Sequence, residues 1–189
     1  MATPGSANSI GLPIPPVTLV LGGARSGKSA YAEGCVERHA EISGGARIYL
    51  ATAESRDDEM AARIAAHRAR RGERWTTVEE PLDLPGALAR AAQPGAAVVV
   101  DCLTLWLANL IERERDVEEE VRGLADGIAR LNAPIVLVAN EVGLGIVPDN
   151  AQTRAFRDHA GRLNQRIAAT ADRVVFVAAG LPLLLKGGG

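Results

Sequence analysis

Thr18-Leu19-Val20-Leu21-Gly22-Gly23-Ala24-Arg25-Ser26-Gly27-Lys28-Ser29 is the stretch on which the fold turns. A short apolar run enters a glycine-rich turn, and a helical pattern follows. The turn matches G-x-x-x-x-G-K-[ST] in the context that pattern requires, after a strand and before a helix. Gly22, Gly23 and Gly27 let the backbone turn tightly and aim its N–H groups inward, while Ala24, Arg25 and Ser26 complete the loop. The helix beyond adds the positive end of its dipole. Lys28 is expected to reach the β and γ phosphates of a nucleotide, and the Ser29 hydroxyl to ligate Mg²⁺. The chain holds nineteen arginines and only two lysines, Lys28 and Lys186. A lysine kept at this position fits a site where a compact ammonium must sit between phosphates.

Working outward, further apolar runs read as strands at Ala46 to Ala51, Ala96 to Val100, Pro134 to Ala139 and Arg173 to Ala179. Most are continuous, as in Ala97-Val98-Val99-Val100, which suits strands covered on both faces of a parallel sheet. Helical spacing fills the intervals: Gly27 to Ala40, Asp57 to Arg71, Leu82 to Ala92, Leu103 to Leu131 with a break near Arg115, and Ala151 to Ala171. Alternating strands and helices predict a doubly wound α/β domain. The expected fold is a single P-loop NTPase-type, RecA-like domain with a mostly parallel central sheet flanked by helices. It should span 17–185, between a flexible N-terminal extension at 1–16 and a disordered tail at 186–189.

Composition narrows the function. The 189 residues are 47% hydrophobic and 23% charged, with a formal net charge of -2, so no excess of positive charge advertises nucleic acid. Aromatic content of 3% argues against a base-stacking surface. Cys35 and Cys102 form neither a disulfide framework nor a zinc pattern and read as reduced core residues. The four prolines of the first sixteen residues do not make a signal peptide, and no apolar run nears the ~20 residues of a membrane span. The expectation is a cytoplasmic protein with no stable membrane insertion.

A partner carboxylate for the phosphate loop should stand at the end of another buried strand, and Asp101 after Val98-Val99-Val100 does so. It could hold Mg²⁺ directly or through water, or merely cap the helix that begins at Leu103. A regulatory GTPase is excluded by two tests. Asn140-Glu141-Val142-Gly143 lacks the lysine and aspartate that read guanine, and no glycine follows Asp101-Cys102-Leu103-Thr104 at the switch position. In Asp57 to Arg71, positions 59, 63, 67 and 70 or 71 share one helical face. His67 therefore lies with arginines rather than with Met60 and Ile64. Surrounding positive charge favours the neutral ring, a nucleophile near anionic phosphate. The residue types leave His67 open between that role and a surface bystander, while His39 and His159 read as ordinary helix-surface residues.

Several stretches, in order, resemble the bifunctional adenosylcobinamide kinase / adenosylcobinamide-phosphate guanylyltransferase family of cobalamin biosynthesis. They are Gly22 to Ser29, Tyr49-Leu50-Ala51-Thr52-Ala53, Asp57-Asp58-Glu59-Met60 through His67, Trp75, Asp101 to Thr104, Asn140 to Pro148, and Arg157-Asp158 through Gln165. The resemblance covers residue 17 to about 180, and Asn140 to Pro148 is its most specific part. It implies that adenosylcobinamide is phosphorylated with ATP or GTP. It also implies that GMP from GTP passes through a guanylyl-histidine to adenosylcobinamide phosphate, giving adenosylcobinamide-GDP. His67 matches the guanylylated histidine. Arg68, Ala69, Arg70 and Arg71 match the adjoining nucleotide-binding run, and Ala51, Thr52, Ala53, Glu79 and Asp101 match other nucleotide contacts. A homo-oligomer, a trimer, is implied as well.

Two other readings stand beside it. A P-loop ATPase or switch module would need a switch glycine or base-reading aspartate, which the chain lacks. A small-molecule kinase without nucleotidyl transfer would give His67 no function.

Overall fold

Buried on both faces, the valine-rich runs become the middle of a seven-stranded sheet ordered β3-β2-β4-β5-β1-β6-β7. The computed structural model describes residues 14–54 and 71–187. The strands are β1 (Val17–Gly22), β2 (Ala46–Ala51), β3 (Trp75–Glu79), β4 (Ala96–Asp101), β5 (Ile135–Asn140), β6 (Arg173–Ala178) and β7 (Leu181–Lys186). All neighbours pair in parallel except β6 and β7, which close an antiparallel hairpin. Its turn residues, Ala179 and Gly180, both have positive φ, as a type I′ hairpin turn requires.

The described helices are α1 (Lys28–Ser43), α2 (Leu84–Ala91), α3 (Leu103–Glu112), α4 (Val117–Ile128) and α5 (Ala151–Thr170). On one face α1 packs over Val20, Val99, Val136 and Val138, with Ala32 and Val36 pointing inward. The other face is covered by α2 to α5 and centres on Trp106, Leu107, Leu110, Leu124, Leu137 and Leu163. Helix ends follow their local chemistry. Gly27 and Gly44 flank α1 in left-handed conformation, and Gly44 N–H donates to the Ala40 carbonyl at 2.8 Å. Asp83, Asp116 and Asn150 accept hydrogen bonds from first-turn amides of α2, α4 and α5. The break expected near Arg115 falls at 113–116, where Glu114 takes φ 52 and Asp116 starts a new helix. Of the helix expected over Asp57 to Arg71, only Arg71 is described.

The structure corrects four expectations. Trp75–Glu79 and Leu181–Lys186 are strands, although neither is among the expected apolar runs. The extension expected at 1–16 is too long. Ile14 packs on the α1-side core and Ile135 N–H donates to the Pro16 carbonyl at 2.9 Å, so 14–16 belong to the domain. The tail expected at 186–189 also begins too early. Lys186 ends β7, and its Nζ donates to the Ala168 and Ala169 carbonyls, each at 3.0 Å, where the negative end of α5 favours a cation. Among the described residues no helix is long and apolar enough to cross a membrane.

Candidate active site

The carboxyl ends of β1, β2, β3, β4 and β5 form one edge, the place where open parallel sheets bind ligands. The phosphate loop leaves β1 here. Gly22 is required by packing, because an added Cβ would lie 2.5 Å from both the Ser26 Oγ and the Val177 carbonyl oxygen. Arg25 at φ 54 and Gly27 at φ 96 give the loop the positive-φ residues from which anion-binding nests are built, and Ser26 N–H closes the turn by donating to the Gly23 carbonyl at 3.3 Å. Gly180 N–H ties the loop down by donating to the Ser26 carbonyl at 2.8 Å. Lys28, nearly buried, turns its ammonium onto the Gly23 carbonyl at 3.1 Å. The Ser26 hydroxyl is buried with no hydrogen-bond partner, a polar group facing a loop built for anions. Ser29 lies half-buried in the first turn of α1, Gly23 is half-buried, and Ala24 and Arg25 are exposed.

Asp101 ends β4. It does not cap α3: Cys102 holds the N-cap position with no side-chain cap bond, and the Asp101 Oδ2 instead accepts from the Tyr49 hydroxyl at 2.7 Å. Sheet register places Glu79, Ala51 and Asp101 in one row across β3, β2 and β4. Three of the residues named from sequence thus meet at adjacent strand ends. Thr52 is fully buried, and its hydroxyl both donates to the Cys102 carbonyl at 2.7 Å and accepts from the Cys102 N–H at 2.9 Å. Its carbonyl receives Asn109 Nδ2 at 2.8 Å. Thr52 therefore fixes the backbone beside the row, and half-buried Ala53 follows it.

Arg71 is buried. Its guanidinium lies over the Tyr49 ring, 3.4 Å from the centroid, and its Nη1 stands 3.9 Å from the Glu33 Oε1 on α1. The Nε and Nη1 atoms have no hydrogen-bond partner. His67, Arg68, Ala69 and Arg70 lie outside the described residues. Burial pushes the Tyr49 phenol up from its ordinary value, and the Asp101 carboxylate adds to the rise. Burial likewise raises the Cys102 thiol to about 11 and also raises Cys35, so both cysteines are free, buried and protonated near neutral pH. His39 and His159 are half-buried, on α1 and α5.

Asn140 to Pro148 follows β5 along the same edge. Glu141 N–H donates to the Gly22 carbonyl at 3.1 Å, and Asn140 N–H donates to the buried Thr104 Oγ1 at 2.7 Å. Beyond this root the loop exposes Leu144, Ile146 and Val147, with Ile146 97% exposed. Sequence reasoning missed Tyr49 as a site residue. It stands 52 positions from Asp101, and nothing in spacing or residue type links the two.

A family model described as cobinamide kinase / cobinamide phosphate guanyltransferase matches residues 18–185. The chain is 48% identical over 171 residues to the bifunctional adenosylcobalamin biosynthesis protein CobP of Pseudomonas aeruginosa, covering 89% of this chain and 96% of that protein. It is 39% identical over 183 residues to the bifunctional adenosylcobalamin biosynthesis protein CobU of Salmonella typhimurium, covering 89% and 98%. Among solved structures, a KaiC-like protein of Pyrococcus horikoshii aligns with a TM-score of 0.52 at 17% identity, over 85% of this chain and 70% of that one. That likeness concerns the fold, which is RecA-like as expected.

Proposed function

The chain belongs to the cobinamide kinase / cobinamide phosphate guanyltransferase family, and we propose that it performs both reactions at the carboxyl edge of its sheet. In the first, the γ-phosphoryl of ATP or GTP passes to the aminopropanol hydroxyl of adenosylcobinamide, leaving the nucleoside diphosphate. The hydroxyl's O–P bond forms as the bond from the γ-phosphorus to the β-bridging oxygen breaks, and the hydroxyl proton passes to solvent. In the second, a ring nitrogen of His67 attacks the α-phosphorus of GTP, and the bond to the β-phosphate oxygen breaks to release pyrophosphate. A phosphate oxygen of adenosylcobinamide phosphate then displaces the histidine and takes the GMP, giving adenosylcobinamide-GDP.

The observation that carries this reading is the built phosphate cradle of Gly22 to Ser29, with Asp101, Ala51 and Glu79 aligned along the same edge. Phosphoryl transfer asks little of the protein beyond positioning and charge stabilisation, and a loop of converging amides with Lys28 supplies both. A histidine nucleophile divides guanylyl transfer into two displacements. Arg68, Arg70 and Arg71 would balance charge on the α-phosphate and the leaving pyrophosphate, while Thr52 keeps Ala51 and Ala53 in place. Ser29 and Asp101 are hard oxygen donors that fit Mg²⁺, which takes one or two protein groups and completes its shell with phosphates and water. When bound, the ion would neutralise phosphate charge. The exposed Leu144, Ile146 and Val147 suit a bulky corrinoid at the mouth of the site.

The test is incubation with Mg²⁺ and GTP labelled at the α-phosphate. Label should survive denaturation, be acid-labile and alkali-stable as a phosphoramidate is, and vanish in His67→Ala. Nucleotide binding without any covalent label would remove the guanylyltransferase half. We also read the chain as a homo-oligomer, a trimer as the family resemblance implies. In support, the edge strand β7 leaves Leu181, Leu183 and Leu185 each more than half exposed, a surface a lone monomer would be expected to cover. Light scattering on the purified protein should give a mass near three chains, and a monomer at micromolar concentration would refute this.

A further inference from the structure

Tyr49 occupies a position that neither reaction formally requires. It is 5% exposed on β2, and three groups hold it. Its hydroxyl donates to the Asp101 Oδ2 at 2.7 Å. Its ring lies under the Arg71 guanidinium at 3.4 Å. Trp75 meets it edge-on, with centroids 6.3 Å apart and planes at 82°, and Trp75 Nε1 donates to the Glu37 Oε1 on α1 at 3.3 Å. Arg71 in turn faces Glu33 on α1. A single side chain therefore touches both the carboxylate at the end of β4 and the arginine that closes the run containing His67.

We propose that Tyr49 is a positioning residue that sets Asp101 and Arg71 relative to each other for the two transfer reactions. The inference rests on the reading above, in which both residues serve the bound nucleotide. Its physical basis is twofold. A donor locked onto one carboxylate oxygen restricts rotation of the group and directs the other oxygen, as outer partners of metal-binding carboxylates do. A guanidinium held by an aromatic face and an ion pair to Glu33, with Nε and Nη1 making no hydrogen bond, is fixed in place yet keeps donors to offer an anion. An arginine merely packed into a core would be expected to have those groups satisfied.

The two contacts can be cut separately. Tyr49→Phe keeps the ring beneath Arg71 and removes only the bond to Asp101. It should raise the Mg²⁺ concentration needed for GTP binding, read by calorimetry, by about 10-fold, within the ~10–100-fold range found when such outer partners are lost. Both transfer rates should fall at limiting Mg²⁺ and recover at high Mg²⁺. Tyr49→Leu removes the ring as well. It should slow covalent labelling of His67 by α-labelled GTP at least several-fold more than it slows phosphoryl transfer, and high Mg²⁺ should not restore labelling. A Phe variant with an unchanged Mg²⁺ midpoint overturns the proposal. So does a Leu variant whose two rates fall together in proportion to its folded fraction. If the wild-type protein takes no covalent label, the guanylyltransferase reading fails, while the Mg²⁺ midpoint for GTP binding still decides the link from Tyr49 to Asp101.

Discussion

The two faces of the sheet are made of different materials. Under α2 to α5 lies a layer of leucine, alanine and valine around Trp106. Its interior polar groups bond to backbone, Trp106 Nε1 to the Leu82 carbonyl at 2.9 Å and Asn109 Nδ2 to the carbonyls of Thr52 and Pro81, while on α5 the Arg157 Nη1 is buried without a hydrogen-bond partner. Under α1 the apolar layer is thinner and carries Tyr49, Trp75, Glu33, Arg71 and Lys28, with the Arg71 Nε and Nη1 making no hydrogen bond and Nη1 facing Glu33 as an ion pair. Buried polar groups without partners are costly, so a fold concentrates them where a ligand will satisfy them. The difference teaches that one face holds the sheet together and the other aims its edge at phosphate.

The largest effect should come from the scaffold face. Trp106 is fully buried, and Trp106→Ala removes its packing and leaves the Leu82 carbonyl without its donor. The expected cost is about 3–5 kcal/mol, which is a large share of a typical domain's ~5–15 kcal/mol. Denaturant melts measure it. The fraction that stays folded should bind GTP with unchanged affinity, and a large rise in Kd for that fraction would break the division of labour. Lys28→Ala on the α1 face should do the reverse. It should slow both transfers by about 100-fold or more, the scale of losing one preorganised charge partner, while the melt shifts by no more than ~1 kcal/mol. Equal loss of stability in both variants would show that the α1 face is scaffold too.

How much of this was legible beforehand follows the same division. The phosphate loop could be read because its chemistry dictates both residue type and spacing, and it lies between β1 and α1, where the motif requires it. Strands β4 and β5 could be read because burial on both faces makes them continuously apolar. Edge strands lack that signature. Trp75-Thr76-Thr77-Val78-Glu79 has the aromatic and β-branched composition of a strand, but its exposed positions interrupt the apolar run. In Leu181 to Lys186 the second residue is Pro182, which a sheet edge tolerates because its missing N–H is not needed there. Asp101 was legible as a strand-end carboxylate. Its bond to Tyr49 was not, because that contact depends on β2 lying beside β4, which no local pattern encodes.

The smallest expected effect sharpens the comparison within the α1 face itself. Cys35 lies there, and the charged and titratable groups around it are Tyr31 and Arg38 on α1 and Arg173 on β6. Burial raises its thiol above the ordinary value of 9.0, and the two arginines pull it down by less than burial pushes it up. A folded-state value above the unfolded one means the folded chain holds this proton more tightly. That contribution to stability is fully present below the unfolded value and is lost as pH rises through the folded one. Denaturant melts at pH 8 and at pH 10.5 should therefore show wild type losing more stability on the alkaline side than Cys35→Ala, whose alkaline loss lacks this component. Tyr31 is raised as well, by burial first and then by Cys35 itself, so Cys35→Ala also relieves part of the Tyr31 rise, and the difference between the two slopes reads the thiol together with its coupling to that phenol. Identical slopes would mean that the arginines prevail, and that even the apolar part of this face is tuned to receive negative charge.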